Sequence, residues 1–215
     1  MNKKYEIIYK KKSVIYSEDA LIYALYENYI SQESEVFFKF THNLEIKNQR
    51  GWDYWCVPDI DVIEVKKDKT TIAYELKGAR KYKKNEINWP GFYDGIGQAM
   101  AYLELPKLAI NYEYKNCGGA FDFIYLVHAM PDEKFMKDGK RIFDLLPLGF
   151  IIALPDGSFI KAKDASKNPL CDSKMKLHFL KNLQSLKKYS INSRVFERIN
   201  QRGSEYFSRW QIVTD

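Results

Sequence analysis

Two segments of alternating residues, DIDVIEV and TIAYELK, constrain this chain more than any other feature. The polar turn KKDKT joins them and predicts an antiparallel strand pair. Side chains alternate between the two faces of a strand, so Asp59 and Asp61 share one face of the first strand, and Glu75 and Lys77 share one face of the second. The start of the first strand lies beside the end of the second. The four charged side chains are therefore expected to converge, although buried charges are costly unless something compensates them.

The compensating partner that suits such a cluster is a hard divalent cation. Mg²⁺ prefers carboxylate oxygens and keeps several of its waters. Lys77 follows Glu75 by two residues and shares its face, so its ammonium can reach a water or a phosphate oxygen beside the acids. This combination of residue types suits metal-assisted hydrolysis of a phosphodiester bond.

The segment PDID…YELK resembles the signature of the PD-(D/E)XK nuclease superfamily, which is a strand acid, a gap, and Glu/Asp-X-Lys on the next strand. The resemblance covers about residues 17–130 and implies a restriction-endonuclease-like α-β-β-β-α-β core. It implies that Asp61, or alternatively Asp59, binds Mg²⁺ or Mn²⁺ with Glu75 and the backbone carbonyl of Leu76. Lys77 would then orient or activate the attacking water, and the product would carry a 5′-phosphate.

Further positions resemble auxiliary parts of the same superfamily. Gln98 and Tyr102 lie four residues apart on a predicted helix, as in the recombination and exonuclease branches, where the Gln positions substrate or water. A Glu from the first helix completes the metal site in many members. Glu18 is the first choice for this role, with Glu27 as the alternative and Glu35 as a weaker candidate. Each also has a plain structural explanation, such as a first-turn acid that favours the helix dipole.

A basic segment follows the predicted site directly. It carries four cations that are expected to bind phosphates, with two aromatic residues available for stacking on bases. These residues are Arg80, Lys81, Lys83 and Lys84, with Tyr82 and Trp89.

The order of predicted elements indicates an α/β fold with a mixed sheet flanked by helices. We predict a strand within residues 5–16, helices over about 17–30, 91–103 and 132–145, and loops through Trp52 and between Lys77 and Gly91. FDFIYLVHAM predicts a strand covered on both faces, and GFIIALPDGSFIKA predicts two strands around a Pro-Asp-Gly turn. C-terminal helices are expected at 172–189 and 193–202. Residues 1–160 are interpreted as a nuclease-like core, and residues 161–215 as a basic helical extension packed on the same domain.

The net charge of +6 is concentrated near the C-terminus, where residues 161–202 hold eleven Lys/Arg against three Asp/Glu. Such a patch suits a polyanion or, equally, a solvated helical face. The three cysteines are scattered and form no CxxC pair, which argues against a zinc or iron–sulfur centre. No GxxxxGK[ST] motif supports a nucleotide cofactor. The chain lacks a signal peptide and a membrane span, so we expect an intracellular protein.

The branch of the superfamily that the chain resembles most is the Holliday junction resolvase-like endonucleases. This implies DNA as substrate, a role in DNA recombination and a homodimer with one active site for each strand. The size and the Lys/Tyr-rich composition also resemble nuclease-like proteins of archaea and their viruses, in which case the location is the host cytoplasm. The alternatives are a recombination-type exonuclease, a restriction-type endonuclease and a DNA-binding protein on a nuclease fold that does not cleave.

Overall fold

A six-stranded mixed sheet organises the chain in the computed structural model, which describes residues 18–40, 45–47, 53–55, 59–82, 86–105, 118–132, 140–187 and 190. The strands of these ranges are, in chain order, β1 (Glu35–Phe40), β2 (Glu45–Lys47), β3 (Asp53–Trp55), β4 (Ile60–Val65), β5 (Thr71–Lys77), β6 (Arg80–Tyr82), β7 (Glu86–Asn88), β8 (Phe123–Ala129), β9 (Gly149–Ala153) and β10 (Phe159–Lys163). The helices are α1 (Glu18–Asn28), α2 (Ile96–Ala101) with a 3₁₀ turn at Tyr102–Glu104, α3 (Lys140–Leu145), α4 (Ser173–Lys181) and α5 (Leu183–Leu186).

The strand order in the sheet is β1-β4-β5-β8-β9-β10. The first three strands form an antiparallel meander, β5, β8 and β9 are parallel, and β10 returns antiparallel to β9. Helix α2 lies between β5 and β8 in the chain, as a parallel connection requires. The prediction of an α/β fold with a mixed sheet and flanking helices is confirmed, including the β4–β5 hairpin.

The alternation in the sequence correctly separates the two faces of the sheet. Ile63 and Ala73 lie in one core cluster together with residues of α2 and α4. Val62 and Tyr74 lie in a second cluster together with α1. The sheet is thus covered by helices on both faces, which explains why the continuous apolar run of β8 is almost entirely buried. The predicted strand pair around the Pro-Asp-Gly turn is also confirmed as β9 and β10.

Two predicted loops contain small hairpins. β2 pairs with β3, and β6 pairs with β7, so the stretch that follows Lys77 is partly extended and not simply a loop. Strands of three residues carry too little periodic pattern to be recognised in a sequence. The predicted strand within residues 5–16 and the predicted helix at 193–202 lie outside the described residues.

Two helices differ from their predicted bounds. The helix expected from residue 91 begins at Ile96, because residues 92–95 form a turn that ends at Gly95 with a φ of 81°. The helix expected over 172–189 begins at Ser173, and Asp172 is its N-cap, since the Asp172 carboxylate accepts a hydrogen bond from the Met175 N–H. It breaks at Asn182, whose side-chain amide donates to the His178 carbonyl and competes with the regular helical bonds. The helix expected over 132–145 is described only at Lys140–Leu145.

The C-terminal basic segment is less free to bind a polyanion than its charge indicates. Among its described lysines, Lys161 pairs with Asp164, Lys176 with Asp122, and Lys187 with Glu35. Lys163 donates to three backbone carbonyls at the end of α3 and in the loop that follows it. Strand β10 also continues to Lys163, three residues past the predicted end of the core. Much of this segment therefore contributes to the packing of the sheet. Within the described ranges, no helix has both the length and the apolar character needed to span a bilayer.

Asp122 fastens the C-terminal helices to the sheet. One of its oxygens accepts from the Thr71 N–H at 2.8 Å and from the Lys176 ammonium at 2.5 Å, while the Thr71 hydroxyl donates to the Ala120 carbonyl at 2.7 Å. The residue is only 8% exposed, so these donors have little water to replace it. Asp122 thus joins the start of β5 to α4.

We expect Asp122→Ala to lower the free energy of unfolding by about 2–4 kcal/mol, because it leaves the buried Thr71 N–H and the Lys176 ammonium without their shared acceptor. Urea denaturation measures the change. Asp156→Ala is the matched control, since Asp156 is exposed and bonds only within its own turn; it should cost less than about 1 kcal/mol. Equal losses of stability in the two variants would show that Asp122 does not hold α4 to β5.

Candidate active site

One row of charged side chains crosses three neighbouring strands. The registers on either side place Lys39 of β1 beside Asp61 of β4, and one further step of the β4–β5 register brings Asp61 opposite Glu75 of β5. Residues that face each other across a ladder point to the same side of the sheet. Lys77 follows Glu75 by two residues on β5 and lies on the same face, so it extends the row along that strand. The convergence that the alternating segments predict is therefore present at this end of the sheet.

Asp61 uses both of its oxygens. Oδ2 accepts a hydrogen bond of 2.8 Å from the Leu76 N–H, and Oδ1 lies 2.6 Å from the Lys39 ammonium. The same ammonium lies 2.5 Å from Glu18 Oε1, at the start of α1. Burial raises the pKa of Asp61, against the opposing influence of Lys39 and the Leu76 N–H. Burial alone would lower the pKa of Lys39, but the two carboxylates outweigh it and raise that pKa.

Glu75 is the most buried acid of the row, with 1% of its surface exposed. Its Oε1 lies 2.6 Å from the Lys77 ammonium, although no well-directed hydrogen bond reaches this oxygen among the described residues. Lys77 donates a hydrogen bond of 2.7 Å to Gln98 Oε1 on α2. The Lys77 side chain is 20% exposed, so its ammonium lies between the buried acid and solvent. Lys77 is thus held by Glu75 on its buried side and by Gln98 on its exposed side.

The hydrogen bonds of Tyr102 depend on the protonation state of Glu75. The phenol oxygen contacts Glu75 Oε2 and also lies 2.6 Å from the Asp59 carbonyl oxygen. A phenol has a single proton to donate, so both contacts are hydrogen bonds at once only when Glu75 carries a proton and donates it to the phenol. Burial, followed by the charge of Asp61, raises the pKa of Glu75 to about 7, while Lys77 and Tyr102 act in the opposite direction.

A hydrogen bond from His128 fixes the turn that precedes α2. This turn places α2 against the row of charged side chains. His128 is fully buried on β8, and its Nε2 lies 2.9 Å from the Asp94 carbonyl oxygen. A carbonyl only accepts, so Nε2 carries the proton. Burial lowers the pKa of His128 to about 4, which keeps the ring neutral near pH 7. Gly95 follows with its positive φ, and a Cβ at this position would lie 2.7 Å from Lys77 Cε. Only glycine allows α2 to approach Lys77 this closely.

The donor atoms of the row fit Mg²⁺ or Mn²⁺ in type. Asp61 and Glu75 offer carboxylate oxygens, and Glu75 Oε1 is a buried acceptor without a well-directed donor. In the described part of the chain, no three His, Cys, Asp or Glu side chains converge as a complete ligand group. Glu18 is separated from the other acids by the ammonium of Lys39. Two carboxylates with waters are an ordinary protein environment for Mg²⁺, so the residues fit the ion.

The other candidate positions lie as follows. Asp59 has an exposed side chain and contacts the site through its backbone carbonyl, whereas Asp61 is 4% exposed inside it. Glu18 enters the row through Lys39. Glu35 lies at the opposite end of β1, where it pairs with Lys187, and Glu27 lies near the C-terminal end of the helix that begins at Glu18. Arg80 and Lys81 lie on β6, and Lys83 and Lys84 lie outside the described residues.

Lys39 is the site residue that the sequence analysis missed. The available signal was a lone cation in the apolar strand EVFFKF. The strand pattern gives Lys39 the same face as the buried Phe37, but it does not reveal that Lys39 has a φ of 46°. The roles of His128 and Gly95 were also missed, because both depend on the turn before α2.

We expect Glu75→Gln to stabilise the metal-free protein relative to wild type more at pH 8 than at pH 5. The pKa of Glu75 in the folded state, about 7, lies above its ordinary value of 4.5. Folding therefore favours the protonated form, and the wild type loses stability as the pH rises through this window. The difference between variant and wild type should grow by about 1–3 kcal/mol, measured by urea denaturation in EDTA. Glu33→Gln, at an exposed ion pair, is the control and should show no such growth. A pH-independent difference at Glu75 would contradict the assignment.

We expect Gly95→Ala to displace Lys77, because the new methyl group meets Lys77 Cε and Leu126 Cδ1 within 3 Å and the backbone has a positive φ. The loss of stability should be about 1–3 kcal/mol. Gly97→Ala is the matched control in the same helix, since nothing lies within 4 Å of a Cβ there. It should stabilise the protein by about 0.5–1 kcal/mol. Thermal or urea unfolding measures both, and equal effects would rule out the close approach at Gly95.

Comparisons with protein-family models, with curated proteins and with solved structures found no match to this chain.

Proposed function

We propose that this protein is a metal-dependent deoxyribonuclease of the PD-(D/E)XK type. One observation carries the proposal: Asp61, Glu75 and Lys77 lie together at one end of a buried strand pair, with Lys77 held between Glu75 and Gln98. The surrounding order of elements supports it, because helix, three antiparallel strands, helix and parallel strand are the parts of the core that the sequence signature implies.

Each residue of the site would have its own role in phosphodiester hydrolysis. Asp61 and Glu75, with the Leu76 carbonyl, would hold Mg²⁺ or Mn²⁺. When bound, such an ion supplies a water of lowered pKa and stabilises the negative charge that develops on the phosphate. Lys77 presents its ammonium at the solvent side of Glu75, where it can donate to a phosphate oxygen or orient the attacking water. Gln98 fixes that ammonium, and Tyr102 fixes Glu75.

The surroundings of the site suit DNA. The exposed fraction increases from 1% for Glu75 and 5% for Asp61 to 20% for Lys77 and 18% for Lys39. The two ammonium groups are thus more exposed than Asp61 and Glu75, while Glu18 beside Lys39 is 38% exposed. Ammonium groups on the solvent side of the two buried acids favour an anionic substrate. The segment of Arg80, Lys81, Lys83 and Lys84 follows the site in the chain and is proposed to bind flanking phosphates.

A structure-specific endonuclease that resembles Holliday junction resolvases is the form of activity we propose, with a homodimer that places two sites on two strands. Met175 and Phe179 of α4 are buried in the core of their own chain and are not available for contact between protomers. Light scattering at micromolar concentration tests the dimer.

One observation favours a second candidate, a DNA-binding protein on a nuclease fold that does not cleave. Lys39 lies between Glu18 and Asp61, and the described acids do not form a complete ligand group. A chain that never holds a metal needs such a lysine to neutralise its buried acids. Glu75 favours the first candidate. A purely structural ion cluster has no need of a further buried acid whose Oε1 accepts no well-directed hydrogen bond.

We expect metal-dependent cleavage of DNA that Lys77→Ala lowers by about 10²–10³-fold, since removal of a group that stabilises transition-state charge costs that much in other hydrolases. The assay uses end-labelled four-way junction, flap, duplex and single-stranded DNA with Mg²⁺, Mn²⁺ or EDTA. Lys67→Ala is the control, because Lys67 is an exposed lysine on the far side of the β4–β5 turn, and it should retain full activity.

The preferred substrate identifies the branch of the superfamily. Cleavage that persists in Lys77→Ala would point to a contaminating nuclease. Binding of DNA without cleavage in any metal would establish the second candidate, and the row of charges would then be a structural ion cluster.

A further inference from the structure

Lys39 holds two acids that belong to different elements. Its ammonium lies 2.5 Å from Glu18 Oε1 on α1 and 2.6 Å from Asp61 Oδ1 on β4. Both distances are those of charge-assisted contacts, so the ammonium neutralises the two carboxylates together. The side chain of Glu18 is 38% exposed, whereas that of Asp61 is only 5% exposed. The lysine therefore bridges an acid at the mouth of the site to an acid inside it.

The backbone of Lys39 is bent to make this bridge. Its φ of 46° lies in the left-handed region, which is unfavourable for a residue with a Cβ. The neighbouring pairs Phe38–Val62 and Phe40–Ile60 keep the ordinary register of the strand. The distortion is thus confined to the one residue whose ammonium enters the site, and the two ion pairs help to offset its cost.

We propose that the ammonium of Lys39 is a resident counter-ion that a divalent cation replaces. This inference rests on the proposed function, because Asp61 is also the proposed metal ligand. The ammonium holds the Glu18–Asp61 pair together in the metal-free protein. When Mg²⁺ or Mn²⁺ binds, the ammonium withdraws, and Glu18 joins Asp61 and Glu75 around the ion. Lys39 thereby sets the affinity of the site for metal.

The two cations exclude each other for geometric and electrostatic reasons. Mg²⁺ binds carboxylate oxygens at about 2.0–2.1 Å, a position that an ammonium within 2.6 Å of the same oxygen obstructs. A cation of charge +2 and one of charge +1 a few ångströms apart also repel each other strongly in a poorly solvated site. Exchange explains why the described acids form no complete ligand group while Lys39 is in place.

The first test compares Mn²⁺ binding by wild type, Lys39→Met and Lys77→Met, with free Mn²⁺ measured by electron paramagnetic resonance. Lys39→Met keeps the length of the side chain and removes the competing charge, so we expect at least a tenfold tighter dissociation constant. Lys77→Met removes the same charge from beside Glu75 and serves as the electrostatic control, with a smaller effect expected. Binding by Lys39→Met no tighter than wild type, or an equal gain in both variants, would overturn the exchange.

The second test uses the wild-type protein and does not depend on the folding of a variant. An amine-acylating reagent is applied with and without Mn²⁺, and the labelled lysines are measured by peptide mass spectrometry. We expect labelling of Lys39, now 18% exposed, to increase several-fold with Mn²⁺ and that of Lys67, 69% exposed, to stay constant. Unchanged labelling of Lys39 at saturating Mn²⁺ would overturn the inference.

Cleavage measured on the same samples separates this inference from the proposed function. Metal-dependent cleavage together with an unmoved Lys39 leaves the nuclease assignment intact and removes only the exchange. Absence of both Mn²⁺ binding and cleavage in every variant removes the two together.

Discussion

The compensation of buried charge in the row Lys39, Asp61, Glu75 and Lys77 is the constraint on which this end of the sheet depends. Two carboxylates that are at most 5% exposed lie on adjacent strands, where each raises the free energy of ionising the other. Only the lysines on both sides make the arrangement tolerable, and burial still raises the pKa of Glu75 to about 7. With Glu18 beside Lys39, three carboxylates share two ammonium groups when Glu75 is ionised, so one negative charge is uncompensated. This is the physical reason to expect that the site acquires a further cation.

The sheet and the connection after β5 convert this charge row into a site with a defined opening. The meander β1-β4-β5 sets the row, and the parallel β8 carries the buried His128 beside Lys77. His128 donates a hydrogen bond to the Asp94 carbonyl, and Gly95 then allows α2 to pack closely against Lys77. Gln98 and Tyr102 follow on the same short helix and its 3₁₀ extension, so one element contacts Lys77 and Glu75 together. The rigidity of these contacts matters for the proposed role of Lys77, because an ammonium that acts in catalysis must be placed within fractions of an ångström.

The sequence was sufficient for those features that a periodic pattern encodes. The period of two in β4 and β5 predicts both the hairpin and the shared face of Asp61, Glu75 and Lys77, and it separates the two core clusters. It could not place Lys39, because a left-handed residue within a strand leaves no trace in the alternation. It also set the start of α2 five residues too early, since the positive φ of Gly95 is a consequence of how closely the helix approaches the sheet.

The basic C-terminal segment shows why net charge alone does not identify a binding surface. Lys161, Lys163, Lys176 and Lys187 neutralise acids or satisfy carbonyls of the sheet and its helices, so their charges serve the fold. The charge row has only two lysines, Lys39 and Lys77. Ion pairs with Asp61 and Glu75 hold their ammonium groups in fixed positions at the opening of the site. A phosphate gains more from an ordered ammonium in a partly desolvated site than from a mobile one on an exposed helix. Under the proposed function, the ammonium groups that would meet a phosphate are therefore those of Lys39 and Lys77, whereas the four described lysines named above are engaged within the domain.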